Sequence, residues 1–167
     1  PMGTMLLAHE LPPVGGDTLF ANMYLAYETL SPGMRRMLEG LKAVNNTLVG
    51  AASRTREDAD ERRSYESEHP VVRTHPETGR KALYVSEMTT ASIEGLTAEE
   101  SAPILKFLYE RSTVYENVYR HVWRPADLVL WDNRCAMHIA LADYDLDVGG
   151  GLGIGVASVL APLYIAE

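Results

Sequence analysis

The stretch "WDNRCAMHIALADYD", residues 131–145, decides how this chain is interpreted. Its tryptophan ends the apolar run "LVLW" at 128–131, and "DNR" then separates that run from "CAMHIA" at 135–140. Two short apolar runs joined by a polar turn predict two β-strands. The second strand carries His138. A single histidine is more often a structural residue than a metal ligand, so the role of His138 depends on the rest of the chain.

Outward from this stretch, the chain predicts further strands, a short helix within residues 19–30, and two more helices after it. Residues 4–11, "TMLLAHEL", predict a buried strand, and residues 70–86 predict a hairpin that turns at "HPETG". Thr97 and Glu100 form a capping box that opens a helix. Its expected buried face consists of Ile104, Leu105 and Leu108, and a second helix opening at Ser31 and Pro32 is expected to bury Met34, Met37, Leu38 and Leu41. Strands interrupted by helices predict an α+β fold with an antiparallel sheet core.

Composition and charge narrow the class of protein. The 167 residues are 46% hydrophobic and 23% charged, which is typical of one globular domain. A formal net charge of −8 argues against nucleic acid as a partner, because an acidic surface repels phosphates. The single cysteine, Cys135, predicts a reducing cytoplasm. Residues 52–68 carry many charges of both signs and predict a solvated loop, with a lid over a site as the alternative.

The last residues differ in composition from everything before them. Residues 148–166 contain no charge over 19 positions, which is long enough to cross a bilayer. Five glycines and one proline lie within this run, and no basic residue flanks it, so we do not expect a membrane span. We treat residues 148–167 as an anomalous Gly-rich apolar tail, separate from a domain that covers residues 1–147.

Five histidines raise the question of a metal site. A mononuclear iron site of the two-histidine, one-carboxylate type needs three ligands on one face of the metal. His75, Pro76 and Glu77 spell a His-x-Glu pattern that such sites use. We reject this match, because the proline and the following "TG" predict a turn rather than a strand. A Cys135–His138 nucleophile is also weak, since residues three apart on a strand point to opposite faces.

Three stretches together resemble the taurine dioxygenase family, which includes the chlorophenoxyacetate dioxygenases. They are "GGDTLFANMYLAYETLS" at 15–31, "HPVVRTHPETGRKALYV" at 69–85 and "WRPADLVLWDNRCAMHIALADYD" at 123–145. The resemblance covers residues 1 to about 145. It implies a double-stranded β-helix, or jelly roll, with a helical insert. It also implies an enzyme that uses Fe(II) as its metal and 2-oxoglutarate as its cosubstrate, acts on a small-molecule substrate, and in many members forms homo-oligomers.

The same resemblance assigns roles to individual residues. His138 matches the family's third iron ligand, and a neutral imidazole suits iron(II). Thr18 matches the residue that helps to hold the distal carboxylate of 2-oxoglutarate, where a hydroxyl can donate a hydrogen bond. Asp132, Asn133 and Arg134 belong to the same motif as His138. We interpret them as turn residues that fix the strand carrying it.

Two departures from the family pattern lower the expected activity of this chain. The family's His-x-Asp pair would lie just upstream of residue 1, so we expect the jelly roll to be N-terminally incomplete. The positions of the family's carboxylate-binding arginines hold Gly149, Gly150 and Gly153, and glycine cannot form a bidentate clamp. We therefore expect a dioxygenase fragment for a sulfonate or an aryloxyacid that is poorly active by itself. A non-catalytic jelly-roll module or degenerate subunit is the alternative.

Overall fold

The computed structural model describes residues 2–46 and 66–141. These residues form two compact units. Of the described residues, 2–21 and 118–141 belong to one unit, and 22–46 and 66–117 belong to the other. The second unit is thus inserted in the sequence of the first.

In its described residues, the first unit contains five strands in two sheets. Strands β1 (Gly3–Leu7) and β9 (Leu128–Asp132) pair antiparallel, with Met5 opposite Leu130 and Thr4 opposite Trp131. The other sheet has the strand order β10-β2-β8, from β10 (Ala136–Ala140), β2 (Thr18–Asn22) and β8 (Val118–His121). In this sheet Thr18 lies opposite His121 across an antiparallel pair. Strands from the two ends of the sequence therefore meet in both sheets.

The two faces of the β1–β9 pair differ in solvent exposure. Directly opposite residues of an antiparallel pair point to the same side. One side carries the buried Trp131, whereas Leu7, Leu128 and Leu130 on the other side are 42%, 60% and 66% exposed. Both sides are apolar, and among the described residues the outer side stays uncovered.

Outside residues 47–65, the second unit contains five strands and three helices. Strands β3 (Lys42–Asn46), β4 (Glu66–Pro70) and β7 (Thr90–Ile93) form an antiparallel sheet in the order β4-β3-β7, and β5 (Val72–Thr74) pairs with β6 (Lys81–Leu83). Helices α1 (Met23–Glu28), α2 (Pro32–Leu38) and α3 (Ala98–Ser112) complete the unit, with a 3-10 turn at Tyr115–Asn117. Helix α1 packs against β6 and α3. The core consists of Met23, Leu38, Val71, Leu83, Ile93 and Leu108, each at most 1% exposed.

Local signals in the sequence predicted several of these elements correctly. The Thr97–Glu100 capping box is present in both directions, and Ser31 caps α2 with Pro32 at its first position. The hairpin of β5 and β6 turns at Pro76–Thr78 as expected. The α+β class with antiparallel pairing is confirmed by the strand pairs of both units.

Other predictions were wrong in extent or in burial. The first strand ends at Leu7 instead of residue 11 and is not buried along its length. Of the expected apolar face of α2, only Leu38 is buried, and Met37 is 44% exposed. Residues 66–68 form part of β4 and not a loop, because they pair with β3. The rest of the charged stretch and the Gly-rich tail lie outside the described residues.

Candidate functional site

His138 lies on β10 within an aromatic wall that we define as Phe20, Trp131 and His138. The ring centroids of Trp131 and His138 are 4.7 Å apart, and those of Phe20 and His138 are 6.2 Å apart at an interplanar angle of 30°. Phe20 and Trp131 meet edge-to-face at 5.1 Å. The wall draws one residue from each of β2, β9 and β10, so two neighbouring rings restrict the orientation of the imidazole.

This packing changes the protonation of His138. The residue as a whole is exposed, but one side of its ring is covered by the other two rings of the wall. This partial burial disfavours the charged imidazolium and lowers the pKa of His138 below its ordinary value of 6.5. The imidazole is therefore neutral at pH 7 and keeps a lone pair on one ring nitrogen.

Thr18 lies on the neighbouring strand β2 and is 4% exposed. Residues two apart on a strand share a face, so Thr18 faces the same way as Phe20, which stacks on His138. The structure therefore brings Thr18 and His138 to one face of the β10-β2-β8 sheet. The Trp123 indole Nε1–H donates a 3.0 Å hydrogen bond to the Thr18 hydroxyl oxygen.

The residue before Thr18 anchors this part of β2. The guanidinium of Arg120 donates from Nε and Nη2 to Asp17 Oδ2, both at 2.6 Å, and the Asp17 side chain is 9% exposed. The backbone N–H of Leu141, just after β10, donates to the Asp17 carbonyl at 2.8 Å. Asp17 therefore ties β2 both to β8 and to the end of β10.

The polar turn between β9 and β10 anchors the aromatic wall through Trp131. Asn133 Oδ1 accepts a hydrogen bond from Trp131 Nε1 at 2.9 Å, and Asn133 Nδ2 donates to Thr4 Oγ1 at 2.8 Å. Arg134 and Asp132 form an ion pair with Nη2 and Oδ2 2.5 Å apart. The prediction of a turn before the His138 strand is confirmed for Asn133 and Arg134, whereas Asp132 is the last residue of β9. Cys135 lies in that turn and not on the strand.

The His75-Pro76-Glu77 match has the geometry of a turn. His75 Nδ1 accepts hydrogen bonds from the backbone N–H groups of Glu77 and Thr78, each at 3.3 Å. One ring nitrogen of His75 therefore stabilises the turn, and His75 is 4% exposed. The interpretation of this motif as a turn is confirmed.

His138 fits iron(II) as a single ligand, because it is a neutral imidazole held in one orientation. Within residues 2–46 and 66–141, His138 belongs to no group of three or more metal-binding side chains. A complete three-ligand iron site that includes His138 therefore needs at least one ligand from outside these residues. The glycines at 149, 150 and 153, where the family pattern has arginines, are likewise outside them.

Sequence reasoning gave no role to Phe20, Trp123 or Trp131, although all three lie in the stretches that carry the family resemblance. The two-residue alternation from Thr18 to Phe20 was a usable signal, because it places both on one face. No sequence signal reveals that Trp123 bonds Thr18 across 105 positions. Among the described residues, no helix is long and apolar enough to cross a membrane.

Comparison with known proteins gives a consistent set of relatives. The family model for "Taurine catabolism dioxygenase TauD, TfdA family" matches residues 1–150. The alpha-ketoglutarate-dependent 2,4-dichlorophenoxyacetate dioxygenase of Cupriavidus pinatubonensis is 38% identical over 138 residues, which are 81% of this chain and 48% of the relative.

Solved structures show the same likeness. A taurine dioxygenase from Burkholderia xenovorans has a TM-score of 0.75 and 37% identity, covering 88% of this chain and 48% of that one. The structure of AAD-2 in complex with Mn(II) and N-oxalylglycine has a TM-score of 0.77 and 32% identity, covering 85% of this chain and 56% of that one. These likenesses confirm the jelly-roll architecture. The chain spans about half the length of the relatives that it matches.

Proposed function

We propose, because the chain belongs to the TauD, TfdA family of taurine catabolism dioxygenases, that it is part of an iron(II)- and 2-oxoglutarate-dependent dioxygenase. Its substrate would be a small organic acid such as a sulfonate or an aryloxyacid, the classes named for its relatives. The observation that carries the proposal is the shared face on which β2 and β10 present Thr18 and His138. The single cysteine supports a cytoplasmic location as part of the same proposal.

We assign His138 the role of an iron ligand. Its neutral imidazole can bind a divalent cation without first losing a proton at pH 7. The aromatic wall restricts the ring, which lowers the entropy that metal binding must overcome. The wall also keeps water away from the inner side of the imidazole.

We assign Thr18 the role of a hydrogen-bond donor to the distal carboxylate of 2-oxoglutarate. Iron(II) with 2-oxoglutarate bound supplies the oxidising chemistry of such an enzyme. The part of this chain is to orient the oxoacid and the metal on one rigid sheet face. Asp17 and Arg120 support that face by fixing the start of β2.

We also propose that this chain alone turns over poorly. His138 is in no three-ligand group among the described residues, and affinity for a divalent metal depends on the number of ligands. The same observation favours one alternative function, a non-catalytic jelly-roll module. In that case His138 would be a packing residue of the aromatic wall.

A metal titration separates these functions. His138 imidazole resonances would be followed by NMR while Mn(II) is added, because a paramagnetic ion broadens the signals of its ligands. We expect selective broadening of His138, while the resonances of His9, an exposed histidine of the same unit, stay sharp and serve as the internal control. Equal broadening of both histidines would favour the non-catalytic module. Succinate formation from 2-oxoglutarate by the purified chain would contradict poor turnover while supporting the dioxygenase.

A further inference from the structure

We infer that Trp123 is a positioning residue that makes the Thr18 hydroxyl a dedicated donor toward the distal carboxylate of the oxoacid. This inference rests on the proposed function, since it deepens the role of Thr18. Trp123 itself lies two residues beyond the end of β8 and is half-buried. It has no part in the metal ligation discussed above.

The Trp123 indole and the Thr18 hydroxyl differ in hydrogen-bonding capacity. An indole Nε1–H can only donate, whereas a threonine hydroxyl has one proton to donate and two lone pairs to accept. Trp123 Nε1 lies 3.0 Å from Thr18 Oγ1, so the hydroxyl accepts in this bond. Among the described residues, the Thr18 hydroxyl makes no other hydrogen bond. Its own proton therefore remains available for an acceptor.

An anionic acceptor suits that proton best. Donation from the indole shifts electron density so that the hydroxyl becomes a better donor, which is the cooperative effect seen in hydrogen-bond chains. The bond also fixes the rotation of the hydroxyl, because one lone pair must face the indole. Thr18 is 4% exposed, so a carboxylate that reaches it loses water and relies on this donor.

The indole is itself held in place by its neighbours on the same unit. The ring of His121 meets the Trp123 ring edge-to-face, with centroids 4.5 Å apart at 89°. His121 lies opposite Thr18 in the β2–β8 pair, and its Nε2 is 3.3 Å from Asp127 Oδ2. The same Asp127 oxygen accepts from the backbone N–H of Arg124 at 2.8 Å. Backbone pairing and ring packing thus place the indole N–H against Thr18.

The test compares two oxoacids that differ only at the distal end. 2-Oxopentanoate has a methyl group where 2-oxoglutarate has the distal carboxylate. Dissociation constants for both would be measured by calorimetry or ligand-observed NMR on the 167-residue chain. A hydrogen bond to a charged group corresponds to a preference for 2-oxoglutarate of about tenfold or more. We expect Thr18→Val to remove most of this preference.

Trp123→Phe keeps the ring that packs on His121 but removes the indole N–H. We expect it to lower the preference for 2-oxoglutarate by about three- to tenfold, with little change in the binding of 2-oxopentanoate. The Thr18→Val/Trp123→Phe double variant should show no smaller preference than Thr18→Val alone, because Trp123 acts through Thr18. Tyr119→Phe is the matched control, since it removes a hydroxyl beside His121 and leaves Thr18 and Trp123 untouched.

The outcomes separate the inference from the proposed function. A full preference in Trp123→Phe, equal weakening of both oxoacids, or additive losses in the double variant would overturn the role of Trp123 only. If the wild-type chain shows no preference at all, the role assigned to Thr18 fails, and the inference fails with it, whereas the Mn(II) titration tests the role of His138 separately. If Trp123→Phe does not fold, the solvent exchange rate of the Trp123 Nε1 proton is measured instead. That proton must exchange with solvent faster in Thr18→Val than in the wild type, and equal exchange would overturn the inference.

Discussion

Removal of the Asn133 side chain should destabilise the first unit and release the aromatic wall. Asn133 accepts from Trp131 Nε1 at 2.9 Å and donates to Thr4 Oγ1 at 2.8 Å, so it connects the wall to β1. In Asn133→Ala both bonds are lost. Trp131 is only 7% exposed, so water cannot readily replace the lost acceptor.

The size of the effect follows from these two bonds. A buried donor left without a partner costs about 1–3 kcal/mol, and the second bond contributes about 1 kcal/mol. We therefore expect the free energy of unfolding of the first unit to fall by about 2–4 kcal/mol. The two tryptophans of the chain, Trp123 and Trp131, both lie in this unit, so their fluorescence during urea denaturation reports on it alone.

A second measurement, the NMR titration of His138, links the stability of the first unit to the candidate site. Trp131 packs on His138 and helps to lower its pKa, so a released Trp131 should let the His138 pKa rise toward 6.5 in an NMR titration. Lys106→Ala is the control, because it removes only the exposed Lys106–Glu110 ion pair within α3 of the second unit. A loss below about 0.5 kcal/mol, within the range of ordinary surface changes, together with an unchanged His138 titration would refute the reasoning.

Three further predictions concern the same unit and its surroundings. Ala126 has a φ of 68°, which is a left-handed conformation that glycine adopts more easily. Ala126→Gly should therefore raise the free energy of unfolding in urea by about 0.5–1 kcal/mol. The control Ala102→Gly, inside α3, should lower it by about 1 kcal/mol. Because folding lowers the pKa of His138, the unfolded chain binds more protons than the folded chain as the pH drops through 6.5. The free energy of unfolding should therefore fall over this pH range. In His138→Gln it should depend less on pH. Since Leu128 and Leu130 are exposed on an apolar face, replacing both with threonine should reduce self-association in light scattering, and an unchanged particle size would contradict this.

The parts of the fold that the sequence predicted are those fixed by neighbouring residues. The Thr97–Glu100 box and the "HPETG" turn depend on hydrogen bonds that span at most a few positions, so the residues themselves specify them. Strand β4 reads "ESEHP" and has no apolar alternation. It is a strand because Lys42–Asn46 pairs with it, and only the tertiary structure supplies that partner.

The candidate site was predicted only in part for the same reason. The family resemblance assigned Thr18 and His138, but no local pattern shows that Phe20 and Trp131 enclose the imidazole. The exposure of Met37 also shows the limit of helical periodicity, since α2 ends at Leu38 and buries only its last residue. Spacing predicts which residues share a face, and the packing of other elements decides which face is covered.

The insertion of the second unit within the first has a consequence for the order of folding. Ala21 pairs with Val118, so closing this contact in an unfolded chain restricts a loop of 118 − 21 = 97 residues. The loop entropy disfavours that closure by about 4 kcal/mol, before any contact compensates for it.

Prior folding of residues 22–117 removes most of this entropic barrier. Helix α1, which begins at Met23, contacts the 3-10 turn that ends at Asn117, so the folded segment already holds the two attachment points of β2 and β8 near each other. We expect the helical signal in stopped-flow refolding to precede the tryptophan signal, and the reverse order would contradict this sequence of events. Among the described residues, the sheet that carries Thr18 and His138 would then acquire its structure after the second unit.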